Sequence, residues 1–408
     1  MKIMDLFRKR QIKNEVTITP EQEEIMWSKT ENSSMLLSSA YYSCMQIRCN
    51  ALAKMPIKIL KKDSDGTHIQ TDTSLYTLLK LRPNRFTNAH DFLWATEYFR
   101  LEYGNAYWYP KIRNGEVKAI YLLDSRNVQI VYDNIGLLDD NKKVYYFYSD
   151  PHYGQFVYTE DEILHFKNYS LDGIAGRGIK KYLADTINTE KSGQNVLKKR
   201  YDKGLQDPII VTYTGDLNDS NKGRIQRKFE SIGGTQSAGK VIPIPSDFSV
   251  SQLETKLVNN QFFELQELTT RRIANAFGVK SFQLNDMNKS TYTNITEQNK
   301  AFYVDTMQNV VTTYEQEMTY KLLSQVQMKN GIYIHFNVDV LLRSDLQTRY
   351  NAYAQGISAG FLTIAEARDK EELPFMQDTD KLIIGNGASI PLSDLGSQYL
   401  KNNPENGQ

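Results

Sequence analysis

Apolar positions recur along the chain with two spacings, and the change from one to the other divides it. Residues 1–35 show neither: polar and charged side chains dominate without a sustained period, which predicts a flexible N-terminal arm. From Ser39 to Ile59, the residues Tyr42, Met45, Ile47, Ala51, Leu52 and Met55 fit a helix ended by Pro56, with a short strand through Leu60. A second helix is predicted over Asp91–Tyr103, stopped by Gly104. The period then drops to two. Ala106–Arg113 and Glu116–Leu123 flank Asn114-Gly115, two residues that accept positive φ and so mark a tight hairpin. Val128–Tyr132, Val144–Tyr148, Phe156–Tyr158 and Ile163–Phe166 continue a mostly antiparallel region, so the first part reads as α+β.

Helical spacing returns from Ile179 to about Gly204, followed by a strand, Pro208–Tyr213. A polar helix around Asn221–Ile232, a glycine-rich loop and a strand at Lys240–Ile244 come next. Phe262, Leu265, Leu268 and Ile273 predict a helix over 259–277 that Gly278 ends, and 279–292 reads as a polar loop. The longest predicted helix opens on a capping pair, Asn294 with Glu297, and runs to about Val326. Tyr303, Met307, Val310, Val311, Tyr314, Met318 and Leu322 share one face of it, and its length approaches ~50 Å. A strand, Ile332–Val338, precedes two more helices. Ser344 with Gln347 opens the first, which stops at Gly360, and Thr363 with Glu366 opens the second. Beyond Pro391 the tail is polar, and no internal repeat is visible.

Composition narrows what this architecture can do. The chain has 408 residues, enough for two or three domains, with 40% hydrophobic and 24% charged residues, as in ordinary folded proteins. Lys+Arg 49 against Asp+Glu 48 leaves a formal charge of +1, which disfavours tight stand-alone binding to nucleic acid. Tyrosine is abundant, 26 residues against 3 tryptophans, and suits partly wet interfaces. Cys44 and Cys49 make neither a disulfide framework nor a zinc site and read as small core or interface residues. No stretch is apolar and long enough for a signal peptide or a membrane span, so a soluble protein of the cytoplasm is expected.

Candidate chemistry is thin. Gly234-Thr-Gln-Ser-Ala-Gly239-Lys240 matches the first seven positions of a phosphate-binding P-loop. Val241 stands where Mg²⁺ needs a Ser or Thr, and the loop leads into a strand instead of a helix, so it reads as a glycine turn. Gly173-Ile-Ala-Gly176-Arg-Gly178 lacks dinucleotide-loop spacing and is expected to be a tight connection into the next helix. His68, His90, His152, His165 and His335 are scattered, with His165 and His335 on predicted sheet faces, so no metal site is expected. No nucleophile elbow, catalytic cysteine context or acid–base carboxylate pair appears, and no enzyme is predicted. Lys198-Lys199-Arg200 with Lys203 reads either as a solvated helix end or as a contact for DNA phosphates.

Several segments, taken in order, resemble the portal proteins of tailed bacteriophages, of the siphophage type. They are Ser39–Pro56, Leu75–Leu79 with Arg82-Pro83-Asn84 and Phe92, Gly104–Tyr107, Glu162–Phe166 and Asp172–Gly176. Arg272–Val279, Asn294–Gln298, His335–Asp345 and Gly360–Arg368 complete the series. Arg177-Gly178-Ile179 and Pro374-Phe375 depart from the usual Ser-Pro and Pro-Pro. The resemblance implies a portal fold: an α+β wing (36–178), stem helices (179–204 and 259–278), a small α/β clip (205–258), and a tunnel loop (279–292). A long helix with a wing strand (293–343) and a helical crown with the tail (344–408) follow. It further implies a dodecameric ring through which double-stranded DNA passes without sequence readout. The expected partners are the terminase large subunit, a head-to-tail adaptor, and the major capsid and scaffolding proteins, with no cofactor. Lys198, Lys199, Arg200 and Lys203 would lie on the stem near the channel, and Asn285, Asp286, Asn288, Lys289 and Ser290 on the tunnel loop. Two alternatives stand beside it: a nucleotide-dependent packaging or DNA-processing enzyme using Gly234–Lys240, and another structural head-to-tail adaptor.

Overall fold

The structure, a computed structural model, describes residues 38–132, 143–202, 209–213, 223, 227, 248–252, 261–284, 292–342 and 346–391, apart from positions 65, 152, 372 and 387. The arm at 1–35, the Gly234–Lys240 loop, the strand at 240–244 and most of the helix at 221–232 lie outside the described residues. The chain divides into two units, Met1–Val338 and Asp339–Gln408.

In the first unit, Ser38 caps α1 (Ser39–Ala53) by accepting from the Tyr41 N–H, which satisfies one of the donors a helix start leaves open. Pro56 disfavours helical backbone just before it, and β1 (Ile57–Asp63) follows. The core stripe of α1 is Tyr41, Cys44, Met45, Arg48, Cys49 and Leu52. Tyr42, counted in the helical pattern, is 49% exposed, and the buried stripe holds an arginine that apolar periodicity passes over. Both cysteines are in the core, as expected. β1 pairs antiparallel with β2 (Gly66–Ile69) on one side and with the distant strand Ile332–Phe336 on the other.

After α2 (Ser74–Lys80), Asn88 caps α3 (Ala89–Tyr103), which ends at Gly104 with φ +86. β3 (Asn105–Arg113) and β4 (Glu116–Leu123) form the predicted hairpin, with Asn114 at φ 53 and Gly115 at φ 77 in the turn. Three further strands, β5 (Val128–Tyr132), β6 (Val144–Asp150) and β7 (Gly154–Thr159), make a separate antiparallel sheet. β8 (Leu164–Lys167) joins the β3–β4 sheet. Tyr107, Leu123, Tyr146 and Ile163 pack the two sheets together.

Helix α4 (Ile179–Asp202) leads to a two-stranded ladder of β9 (Ile209–Tyr213) and β10 (Phe248–Gln252), the latter not predicted. α5 (Gln261–Phe277) stops at Gly278, φ +67, as expected. The long helix differs from expectation at both ends. It begins at Tyr292, so Asn294 sits inside it and is not its cap. It runs as α6 (Tyr292–Phe302), a π-turn (Tyr303–Met307) and α7 (Gln308–Leu322), then breaks at Leu323. Val326 belongs to a separate one-turn helix, α8 (Gln325–Lys329), because Ser324 and Gln327 form a capping box that starts a new helix there. The strand that follows, β11 (Ile332–Phe336), closes the β1 sheet and ends two residues before the predicted limit.

The second unit holds α9 (Asp339–Leu342), α10 (Leu346–Ser358) and α11 (Ile364–Lys370). Gly360 at φ +74 ends the α10 segment, and the Thr363–Glu366 capping box is present as predicted. An unpredicted hairpin, β12 (Ile383–Asn386) with β13 (Ala388–Pro391), completes it. Arg349 pairs with Glu371 at 2.6 Å, and the Tyr353 hydroxyl donates to the same carboxylate at 3.0 Å.

Candidate functional site

The elements that carry the predicted site residues are α4, α5 and the turn after α5. Ile179, Leu183 and Ile187 repeat every four residues on α4 and are buried with Ile273, Ala274 and Phe277 of α5 and Tyr41, Cys44 and Met45 of α1. Thus α4 leaves the core after its first half and α5 re-enters by its last turns. Among the described residues of the outer halves, Val196 is 59% exposed, Leu265 39% and Leu268 40%. Leu265 and Leu268 carried the helical period of α5 together with Ile273, and of these Ile273 alone is in the core. Lys198 is exposed on the outer half of α4. Lys199 and Arg200 follow on the same helix with their side chains outside the described residues. Lys203, Asn285, Asp286, Asn288, Lys289 and Ser290 also lie outside them.

What fixes these helices is a buried polar joint at their root. Glu97 of α3, fully buried, accepts from Arg100 at 2.7 and 2.8 Å, from Arg48 of α1 at 3.2 Å, and from the Tyr314 hydroxyl of α7 at 3.1 Å. Burial pushes the Glu97 carboxyl up, but Arg100 and Arg48 outweigh it and hold it below the ordinary carboxylate range. Arg48 also donates to the Phe277 carbonyl at 2.5 Å, tying the last turn of α5 to the same carboxylate. At the base of α4, Glu102 accepts from Tyr41 at 2.5 Å and from Lys180 at 3.0 Å, while Ser38 donates to Glu190 at 2.8 Å.

The entry to α4 is set by backbone contact that only glycine permits. A Cβ on Gly104 would sit 2.5 Å from the Arg177 carbonyl carbon and the Gly178 nitrogen, and one on Gly176 would sit 2.0 Å from the Gly104 oxygen. Asn105 clamps Gly176 from the side, its Oδ1 accepting from the Gly176 N–H at 2.7 Å and its Nδ2 donating to the carbonyl at 3.1 Å. The Gly173–Gly178 segment is therefore the tight connection its sequence suggested. After α5, the Thr306 hydroxyl of the π-turn donates to the Gly278 carbonyl at 2.8 Å, and Lys280 pairs with Asp305 at 2.7 Å.

His165 of β8 shows how dry the neighbouring sheet is. Its Nε2 donates to Asn105 Oδ1 at 2.8 Å and its Nδ1 accepts from the Tyr146 hydroxyl at 3.1 Å. Burial pushes the imidazole down to about 3, with Lys167 and Lys321 acting in the same direction. The unfolded imidazole titrates near ~6.5, so the unfolded chain takes up a proton the folded one refuses, and stability falls as pH drops from ~6.5 toward 3. Between pH 7 and pH 5 this residue should cost about 2 kcal/mol. Urea midpoints at the two pH values should differ less for His165→Gln than for the parent; an unchanged difference would contradict the assignment.

Arg48, Glu97 and Arg100 were not singled out from the sequence, and Tyr314 was placed there only on the apolar face of the long helix. The available signal was charge inside apolar stripes: Arg48 between Met45 and Cys49, and Glu97 and Arg100 between Leu93 and Leu101. Among the described residues no group of three or more His, Cys, Asp or Glu could hold a metal ion, and no helix is long and apolar enough to cross a membrane.

Residues 39–372 match the family model described as phage portal protein. The chain belongs to the phage portal protein family. A probable portal protein of Streptomyces phage phiC31 is 21% identical over 312 residues, 74% of this chain and 66% of that protein. An uncharacterised Rickettsia felis protein is 25% identical over 352 residues, 84% of this chain and 88% of its own. The fold is similar to the necks of empty and native gene transfer agent particles, computed with C6 and C12 symmetry. Their TM-scores are 0.58 and 0.57 at 20% and 19% identity, with 84% of this chain and 92% of theirs covered. A portal protein of the HK97 family from Corynebacterium diphtheriae aligns with TM-score 0.54 and 13% identity, over 77% of this chain and 96% of that one. The expected portal fold, α+β with long helices and small sheets, is therefore the one observed. The phage portal family is structural, and the polar joint of this portal chain anchors its helices to one another.

Proposed function

We propose that this portal chain closes with identical copies, twelve in the assembled particle, into a ring that conducts double-stranded DNA at one capsid vertex. The observation that carries the reading is the α4–α5 pair: two helices rooted in the core by Glu97, Arg48 and Phe277, whose outer halves leave Val196, Leu265 and Leu268 partly exposed. Apolar residues repeated at helical spacing on a projecting pair are what a neighbouring copy would cover. In this reading residues 36–178 with β11 are the wing, α4 and α5 the stem, the β9–β10 ladder part of the clip, 279–292 the tunnel loop, and the second unit the crown.

The near-balanced charge suits a conduit, because each lysine–phosphate contact adds affinity and therefore drag on moving DNA. ATP hydrolysis belongs to a separate motor, the terminase large subunit, docking at the clip. The ring then joins head to tail through an adaptor, conducts DNA out on ejection, and nucleates procapsid assembly with major capsid and scaffolding proteins in the host cytoplasm. Lys198, Lys199, Arg200 and Lys203 guide the duplex, with Asn285, Asp286, Asn288, Lys289 and Ser290 on the loop facing it. Replacing the four basic residues by glutamate should leave rings intact and lower DNA packaged per particle about tenfold or more, through like-charge repulsion. Packaging at the parental level by that variant would remove these residues from the channel.

A further inference from the structure

The joint leaves one positive charge uncompensated. Arg48 and Arg100 are 6% and 5% exposed, and among the described residues Glu97 is the one carboxylate bonded to either. Tyr314 stays neutral, since burial and Glu97 push its hydroxyl far above the usual range. Two guanidiniums on one carboxylate leave a net +1 in a low-dielectric place, where an unpaired charge is costly. The Arg48 Nε also has no hydrogen-bond partner.

Both arginines line an open groove of about 580 Å³. Lys167 and Lys280 stand on its wall, and so does Ile179, the first residue of the 24-residue helix α4, whose leading N–H groups favour negative charge. Asp305 is the acidic side chain among the lining residues, and Lys280 already pairs with it at 2.7 Å. The carbonyls at the end of α5 offer an anion no obstacle. Phe277 accepts from Arg48, Gly278 from Thr306, Asn275 from the Gly278 N–H and Ala274 from the Val279 N–H. Lys167 Nζ donates to the Gly173 carbonyl at 2.6 Å and Arg100 Nη1 to Asn168 Oδ1 at 3.1 Å, neutral acceptors that leave positive charge in excess on the groove, and the Asn275 and Asn309 amides line it as well.

We propose that this groove, between the end of α5, the π-turn with α7, and the loop after β8, binds an oxyanion of the phosphate type that completes the charge balance of Arg48 and Arg100. The same chemistry is supplied by free phosphate or by a phosphate of a nucleic-acid backbone. The proposal does not depend on ring closure, which phosphate-free microscopy reads separately.

The test is thermal unfolding of the full chain in sodium phosphate and in sodium chloride at matched ionic strength. Phosphate should raise the melting temperature saturably above the chloride value, as a ligand specific for the folded state does. Lys167→Gln with Lys280→Gln, two changes at the partly exposed wall, should weaken the apparent phosphate affinity about tenfold or more. If the double variant folds poorly in chloride, Lys280→Gln alone gives the same reading with a smaller shift. A short DNA duplex that competes with phosphate, and binds the variant less well, identifies the backbone as the source. A duplex that binds both proteins equally, while phosphate discriminates between them, identifies the free anion. Equal melting temperatures in phosphate and chloride, or a phosphate shift unchanged in the variants, would overturn the proposal.

Discussion

Glu97→Gln is expected to cost about 3–5 kcal/mol in urea unfolding at pH 7, because it strands two buried guanidiniums without a counter-charge. The substitution preserves shape, so the loss reads charge and not packing. Arg48 ties Glu97 to the Phe277 carbonyl and Tyr314 ties it to α7, so the damage reaches the root of the α4–α5 pair as well as α3. Ring assembly should fail together with stability. Adding phosphate should recover part of the loss, since the anion and the carboxylate would neutralise the same arginines. A cost below about 1 kcal/mol, the range of an exposed ion pair, would mean that the guanidiniums are compensated elsewhere.

Gly104→Ala should cost about 2–5 kcal/mol. Roughly 1–2 kcal/mol comes from a left-handed backbone that alanine resists, and about 1–3 kcal/mol from overlap with the Arg177–Gly178 backbone 2.5 Å away. Gly115→Ala is the matched control. It has φ +77 and nothing within 4 Å of its would-be Cβ, so it carries the conformational cost alone. Equal losses at the two positions, measured by urea midpoint, would show that the contact between the end of α3 and the entry to α4 has room to yield. A clear excess at Gly104 would show that this contact sets the angle at which α4 leaves the core.

Features encoded within a few residues were legible from the sequence. The Asn114-Gly115 hairpin, the Thr363–Glu366 box and the stops at Gly278 and Gly360 follow from local backbone chemistry, and they stand where the residues predict. Partnerships across the chain were not legible. Nothing in Ile57–Asp63 names Ile332–Phe336 as its neighbour, and the same apolar alternation would fit several strands. The first helix was legible, with Met45, Ala51, Leu52 and Met55 buried, but Arg48 in its core stripe was not, because its charge is answered by Glu97 on another helix. The long helix was over-extended because the Ser324–Gln327 box lay inside a window whose apolar spacing continued. The series of weak motifs from Ser39 to Arg368 gave the family, because their order carries more information than any one of them. Lys198 is the one predicted site side chain within the described residues, and its exposure on α4 suits a surface role.

Purified full-length chain, concentrated under assembly conditions and viewed by negative-stain electron microscopy, gives the most direct measurement. The account predicts closed rings of identical subunits around an axial opening wide enough for a DNA duplex. Monomers that persist at every concentration, or a particle without that opening, would contradict it.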